Sequence, residues 1–140
     1  MLIFPMNKIV EEISIELYEP SDNAQVIYTT RQLASQIGFD EIQQVLIATA
    51  ASELSTNIIR YAEKGIITIR ILENDKLYGI ELIAEDKGPG IANIDMAMQE
   101  HFSTGNGLGL GLPSVRRIMD EFDIQSKLRQ GTHIIAKKWR

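Results

Sequence analysis

Between Asp86 and Gly111 the chain reads Asp-Lys-Gly-Pro-Gly-Ile, then a gap, then Gly105-Asn-Gly-Leu-Gly-Leu-Gly111, and six of its ten glycines fall inside that stretch. Glycine is costly to order and is placed where backbone must turn sharply or let a ligand come close. Two such clusters around a short variable segment predict a hinged flap over a phosphate-bearing ligand. Upstream, Glu53 and Asn57 are four residues apart, so on a helix they project from one face. The amide oxygen of Asn57 is a hard donor suited to magnesium, and the carboxylate of Glu53 can orient or deprotonate a hydroxyl. Together these residues predict a magnesium-nucleotide site.

Each piece also has a plainer reading. A Glu-x-x-x-Asn pair is ordinarily an exposed polar pair. Here it continues an apolar face, where a carboxylate needs a partner or a ligand. Asp86 with Gly88 and Gly90 fits an Asp-Gly turn. It equally fits a strand-end carboxylate that accepts from an exocyclic amine such as that of adenine. Gly105, Gly107, Gly109 and Gly111, with Leu110 between the last two, match neither the Rossmann spacing nor a Walker A loop. A linker is the alternative. Leucines between glycines that enter a helix at once favour a phosphate cradle of backbone N–H groups. His101 and His133 are too isolated for a metal site, and Met96 and Met98 read as packing residues of the flap.

The elements that must hold these residues follow from periodicity and punctuation. Ile9 to Tyr18 reads as a strand, and Pro20-Ser21-Asp22 as a turn and helix cap. The next helix presents Val26, Ile27, Thr30, Leu33, Ala34 and Ile37, and Gly38 stops it. Asp40 caps a longer helix to about Ala62. Its expected core face is Ile42, Val45, Leu46, Thr49 and Ala50, continuing through Glu53, Asn57 and Tyr61, with Gly65 beyond its end. Ile66–Leu72 and Tyr78–Ala84 read as strands joined at Glu73-Asn74-Asp75-Lys76, with Asp86 just off the second. Asn93 to Phe102 reads as a short helix or an irregular lid. Pro113 suits the first turn of a helix carrying Val115, Ile118, Met119 and Phe122. Asp123–Leu128 and Thr132–Trp139 close the chain around Gln130-Gly131. This order predicts an α/β fold, a two-layer sandwich with a mixed, mostly antiparallel sheet and helices on one face.

The whole-chain properties narrow the partners. Residues 1–140 are expected to form a single domain long enough to bury its own core. A net charge of −5 argues against nucleic acid and anionic membrane as partners. The absence of cysteine excludes disulfides and thiolate zinc. The apolar start is too short for a signal peptide, no apolar run reaches membrane length, and the cytoplasm is the expected compartment.

In this order the motifs resemble the GHKL (Bergerat-fold) ATPase family. Glu53-Leu-Ser-Thr-Asn57 is similar to its N box, and Asp86-Lys-Gly88-Pro-Gly90 to its first glycine box. Gly105-Asn-Gly107-Leu-Gly109-Leu-Gly111 is similar to the second, and Gly131-Thr132 to the closing strand motif. Within the family the chain looks most like the switch serine/threonine kinases of bacterial stress signalling, the RsbT type. That likeness rests on Asn57-Ile-Ile-Arg-Tyr-Ala62, Phe102-Ser-Thr-Gly105, Leu112-Pro-Ser-Val-Arg-Arg-Ile-Met-Asp-Glu-Phe122 and Ala136-Lys-Lys-Trp139. The resemblance implies ATP or ADP with Mg²⁺ as ligands. It implies Mg²⁺ on Asn57, Glu53 as general base or orienting group, and Asp86, Gly90 and Thr132 at the adenine, with the glycines from 105 to 111 at the phosphates. It further implies a STAS-domain protein as acceptor and a PP2C-type phosphatase as a second partner. The competing expectation is a nucleotide-gated anti-sigma factor or phosphatase-binding module with little catalysis, which would need Asp86 and the glycines but not Glu53.

Overall fold

The computed structural model describes residues 7–91, 98 and 111–140. Five strands, β1 (Lys8–Leu17), β2 (Gly65–Asn74), β3 (Leu77–Asp86), β4 (Glu121–Lys127) and β5 (Gly131–Trp139), form one sheet in the order β1-β2-β3-β5-β4. Every pairing in it is antiparallel. The inward residues of the strands, among them Ile15, Ile67, Ile69, Leu82 and Ile134, share one core with residues of three helices. These are α1 (Asp22–Gln36), α2 (Glu41–Ala62) and α3 (Gly111–Ile118). The result is the expected two-layer α/β sandwich with the helices on one face of the sheet.

The local signals act through identifiable bonds. Asp40 caps α2 by accepting the Gln43 N–H at 2.8 Å, which satisfies one orphan donor of the first turn. At α1, Ser21 makes no side-chain cap. Asp22 instead accepts the N–H groups of Tyr18 and Glu19 at 2.8 and 3.0 Å, closing the turn that leaves β1. Those backbone donors, Tyr18 first, hold its carboxyl below the usual carboxylate range.

Three sequence expectations are corrected. The buried face of α2 is Ile47, Ala50, Ala51, Leu54 and Ile58, whereas Ile42, Val45, Leu46, Thr49 and Tyr61 are exposed. Apolar residues surround much of this helix, so two stripes satisfy the same spacing. The sheet takes the one whose alanines allow close approach. Glu53 and Asn57 therefore flank the core face rather than continue it, each half-buried. Phe122, expected on the third helix, lies on β4, because α3 ends at Ile118. Asp86 is the last residue of β3 rather than a residue beyond it.

The outer face of the sheet, which no described helix covers, settles its own charges. Glu12, Arg70, Glu81, Lys137 and Glu121 are register partners in turn across all five strands. Their signs alternate along this row. Arg70 bridges Glu12 at 2.5 Å and Glu81 at 3.1 Å, and Lys137 stands 3.7 Å from the other Glu81 oxygen. Glu81 is only 7% exposed, so it depends on these cations. Arg70→Met is expected to lower unfolding free energy by about 2 kcal/mol in a urea titration. Arg70→Met/Glu81→Leu should recover most of that loss, and a silent single variant would reduce the row to surface decoration.

Candidate functional site

The site is assembled around the close approach of α2 to the start of β2. A Cβ on Gly65 would stand 2.7 Å from Ile58 Cγ2, 2.5 Å from the Glu85 carbonyl oxygen and 3.1 Å from Asp86 Cβ. Asp86 is the register partner of Gly65, so its side chain enters the helix layer beside the turn of α2 that carries Asn57. The chain then folds back against the end of the same helix, where a Cβ on Gly88 would meet Ala62. Asp86 Oδ1 accepts the Gly88 N–H at 2.9 Å, which leaves Oδ2 for a ligand.

The backbone after Asp86 is tied down by the β4–β5 hairpin. Asp86 pairs in register with Thr132, which is 7% exposed. Ser126 Oγ accepts the Ile91 N–H at 2.7 Å, donates to the Gly131 carbonyl at 3.0 Å and lies 2.8 Å from Thr132 Oγ1. The Arg129 N–H donates to the Pro89 carbonyl at 2.7 Å. Two glycines make this crossing possible. Gly90 and Gly131 both have positive φ, and a Cβ on either would run into backbone, that of Lys127 or of Asp86. The first glycine box and the closing strand motif are thus one structural unit. Ser126 escaped the sequence reading, and the only available signal was its place opposite Thr132 across the Gln130-Gly131 turn.

On α2, the Asn23 side chain of α1 donates to Ser52 Oγ at 3.0 Å and marks the α1 side of the helix. Asn57 lies on the opposite flank, toward α3, with Glu53 one turn earlier. Among the described residues nothing engages the side chain of either. Gly111 opens the described part of α3, and among the described residues a Cβ there would meet nothing within 4 Å. That open space beside a helix start suits a phosphate group. Gly105, Gly107, Gly109 and Leu110 lie outside the described residues, as do Met96 and His101. Met98 is buried in the core, and His133 stands 3.4 Å from Glu85 on the outer sheet face. No group of three or more carboxylates and imidazoles able to hold a metal occurs among the described residues. The amide oxygen of Asn57 is of the donor type that could hold a magnesium ion together with a ligand's phosphates.

An open cavity of about 680 Å³ lies against the outward residues Glu16, Ile66, Glu85 and His133 and reaches the strand ends at Asp86 and Thr132. Neither Glu53 nor Asn57 lines it, but Gly65, Asp86, Ser126, Gly131 and Thr132 do, so it adjoins the site from the sheet side. No described helix is long and apolar enough to cross a membrane.

Residues 42–139 match the family model described as "Histidine kinase-, DNA gyrase B-, and HSP90-like ATPase". Over 109 residues the chain is 48% identical to the serine/threonine-protein kinase RsbT of Bacillus subtilis (strain 168), covering 78% of this chain and 82% of that protein. It is 37% identical over 105 residues to an anti-sigma F factor of Clostridium kluyveri, covering 71% of each. A chain of the SiaB–SiaC complex from Pseudomonas aeruginosa superposes with a TM-score of 0.55, covering 94% of this chain and 91% of that one. At 12% identity this is a likeness of fold.

Two hydroxyls near the site are expected to behave oppositely on removal. Ser126→Ala strips the Ile91 N–H of its acceptor and should cost about 1–2 kcal/mol of stability. It should also weaken nucleotide affinity in calorimetric titration. Ser55 Oγ, on the buried side of α2, is fully enclosed and has no hydrogen-bond partner among the described residues. Ser55→Ala should therefore raise the unfolding midpoint, by about 1 kcal/mol equivalent, and an unchanged or lower midpoint would assign that hydroxyl a hidden partner.

Proposed function

The chain belongs to the histidine kinase-, DNA gyrase B- and HSP90-like ATPase family, and from that premise we propose that it is an ATP-dependent protein serine/threonine kinase acting on a STAS-domain antagonist in bacterial stress signalling. Its 140 residues act as a single ATP-binding kinase domain. Glu53 carries the reading. Binding a nucleotide requires Asp86 and the glycines but no carboxylate one turn before Asn57. A carboxylate there that no described residue engages is suited to a reacting hydroxyl.

In this mechanism Asp86 Oδ2 accepts from the adenine amine while Gly88 holds its other oxygen, and Thr132 and Gly90 complete the base pocket. The start of α3 at Gly111, with Gly105, Gly107, Gly109 and Leu110 before it, receives the phosphates on backbone N–H groups. Asn57, through its amide oxygen, would hold Mg²⁺, which when bound would supply charge neutralisation at the β- and γ-phosphates. Glu53 aligns the acceptor's Ser or Thr hydroxyl and takes its proton as the oxygen bonds to the γ-phosphorus and ADP leaves. Phosphorylation alters the acceptor's affinity, and the kinase moves to its second partner, a PP2C-type phosphatase. The cytoplasm supplies the ATP this cycle consumes.

A second reading, a nucleotide-gated anti-sigma factor with little catalysis, draws on the 37% identity to an anti-sigma F factor. Incubation with Mg-ATP and a STAS-domain protein from the same genome separates the two by intact mass. The kinase reading expects the acceptor to gain one phosphate. Glu53→Gln should keep nucleotide affinity and slow transfer by two orders of magnitude or more. Equal transfer rates in the two proteins would remove Glu53 from the mechanism. Asp86→Asn and Asn57→Asp should each weaken Mg-nucleotide binding about tenfold or more, and unchanged affinity in both would overturn the site.

A further inference from the structure

The stripe of α2 that sequence periodicity assigned to the core lies on the surface. Ile42 is 72% exposed, Val45 46% and Leu46 38%, and Thr49 is exposed beside them. From residue 42 to residue 52 the helix carries no charged side chain. For three turns, a surface helix of an acidic protein therefore offers only aliphatic and uncharged polar groups. Depletion of charge around exposed aliphatic side chains marks the centre of a protein interface rather than a solvated face. Asp40 and Glu41 bound the stripe at one end, and Glu53 and Arg60 at the other.

What covers this stripe is decided by its continuity with Glu53. Leu46 precedes Glu53 by seven residues, so the two lie on the same side of the helix, about 10 Å apart along its axis. Ile42 is about 16 Å from Glu53 by the same rise. A standard interface buries about 800 Å² on each partner, a patch of roughly 16 Å radius. A folded protein that delivers a hydroxyl to Glu53 can therefore reach the whole stripe within a footprint of standard size. A second copy seated there would compete with the acceptor for the surface that leads to Glu53.

We propose that Ile42, Val45, Leu46 and Thr49 form the docking face for the phosphoacceptor protein, which meets them with a complementary uncharged apolar patch beside its Ser or Thr. This rests on the kinase reading above for the identity of the occupant. The stripe holds the acceptor, and Glu53, at its end, acts on the acceptor's hydroxyl. Specificity for one acceptor among similar domains is then set on this face and not in the nucleotide pocket.

The test measures kcat and KM for a STAS-domain acceptor from the same genome, and the acceptor's Kd by calorimetry, for the full chain and three variants. Leu46→Glu and Ile42→Glu place charge on exposed helix positions that the fold does not use. Each is expected to raise KM and Kd for the acceptor tenfold or more, with kcat at saturating acceptor and affinity for nucleotide unchanged. Tyr28→Glu, on the exposed side of α1, should change none of these. Wild-type KM and Kd in Leu46→Glu and Ile42→Glu would overturn the proposal. A free chain that dimerises on sedimentation, with Leu46→Glu monomeric but of unchanged acceptor KM, would overturn it in favour of a second copy. If the unmodified chain binds the acceptor without transferring phosphate, the kinase reading fails alone and the Kd values decide the docking face. If it binds no STAS domain at all, the docking proposal falls with its occupant.

Discussion

At Gly65 the first residue of β2 passes so closely beneath α2 that no side chain fits between Ile58 and the Glu85 carbonyl. This contact sets how deeply the helix rides on the sheet. Asn57 is the residue before Ile58, and Asp86 is the register partner of Gly65, so the contact also sets where those two side chains stand relative to each other. Interiors pack at crystal density and transmit displacement rather than absorb it. Ala50, Ala51 and Leu54, in one core with Ile67, Ile69 and Leu82, therefore govern a site in which none of them takes part.

The second constraint is that backbone, not side chain, holds much of the site. Gly90 and Gly131 let the segment after Asp86 lie across the β4–β5 hairpin, and Ser126 closes the crossing through its bonds to Ile91 and Gly131. Side chains at these glycines would separate the two segments and move Asp86 away from Thr132. The stability spent on ordering glycine thus secures the distance between the Asp86 carboxylate and the Thr132 hydroxyl. On the opposite face, Arg70 and Lys137 flank Glu81, so the acidic surplus of the chain leaves that buried carboxylate paired.

The sequence made the motifs, the element order and the layer architecture legible, because each depends on local rules. Glycines at non-random spacing, a cap at Asp40, a stop at Gly38 and β-branched runs each act within a few residues of themselves. It was misleading where two local solutions were equivalent. Both stripes of α2 obey the same helical period, and the choice between them depends on which one lets the sheet approach. Phe122 continues the apolar period of α3, yet the chain has already turned into β4 there. Ser126 carried no local signal, since its three bonds reach residues distant in sequence or across a turn.

The amino-acid sequence by itself determined which residue types could do chemistry here and that their motifs are those of the ATPase family the chain belongs to. Residue identity and spacing along the chain are sufficient for that. Tertiary structure alone decided that Glu53 and Asn57 flank the core rather than enter it, and that Asp86 pairs in register with Gly65 and Thr132. It also decided that the uncharged stripe of α2 faces outward. These are outcomes of packing, in which a helix with two admissible apolar faces commits the one whose small side chains reach the sheet and leaves the other exposed.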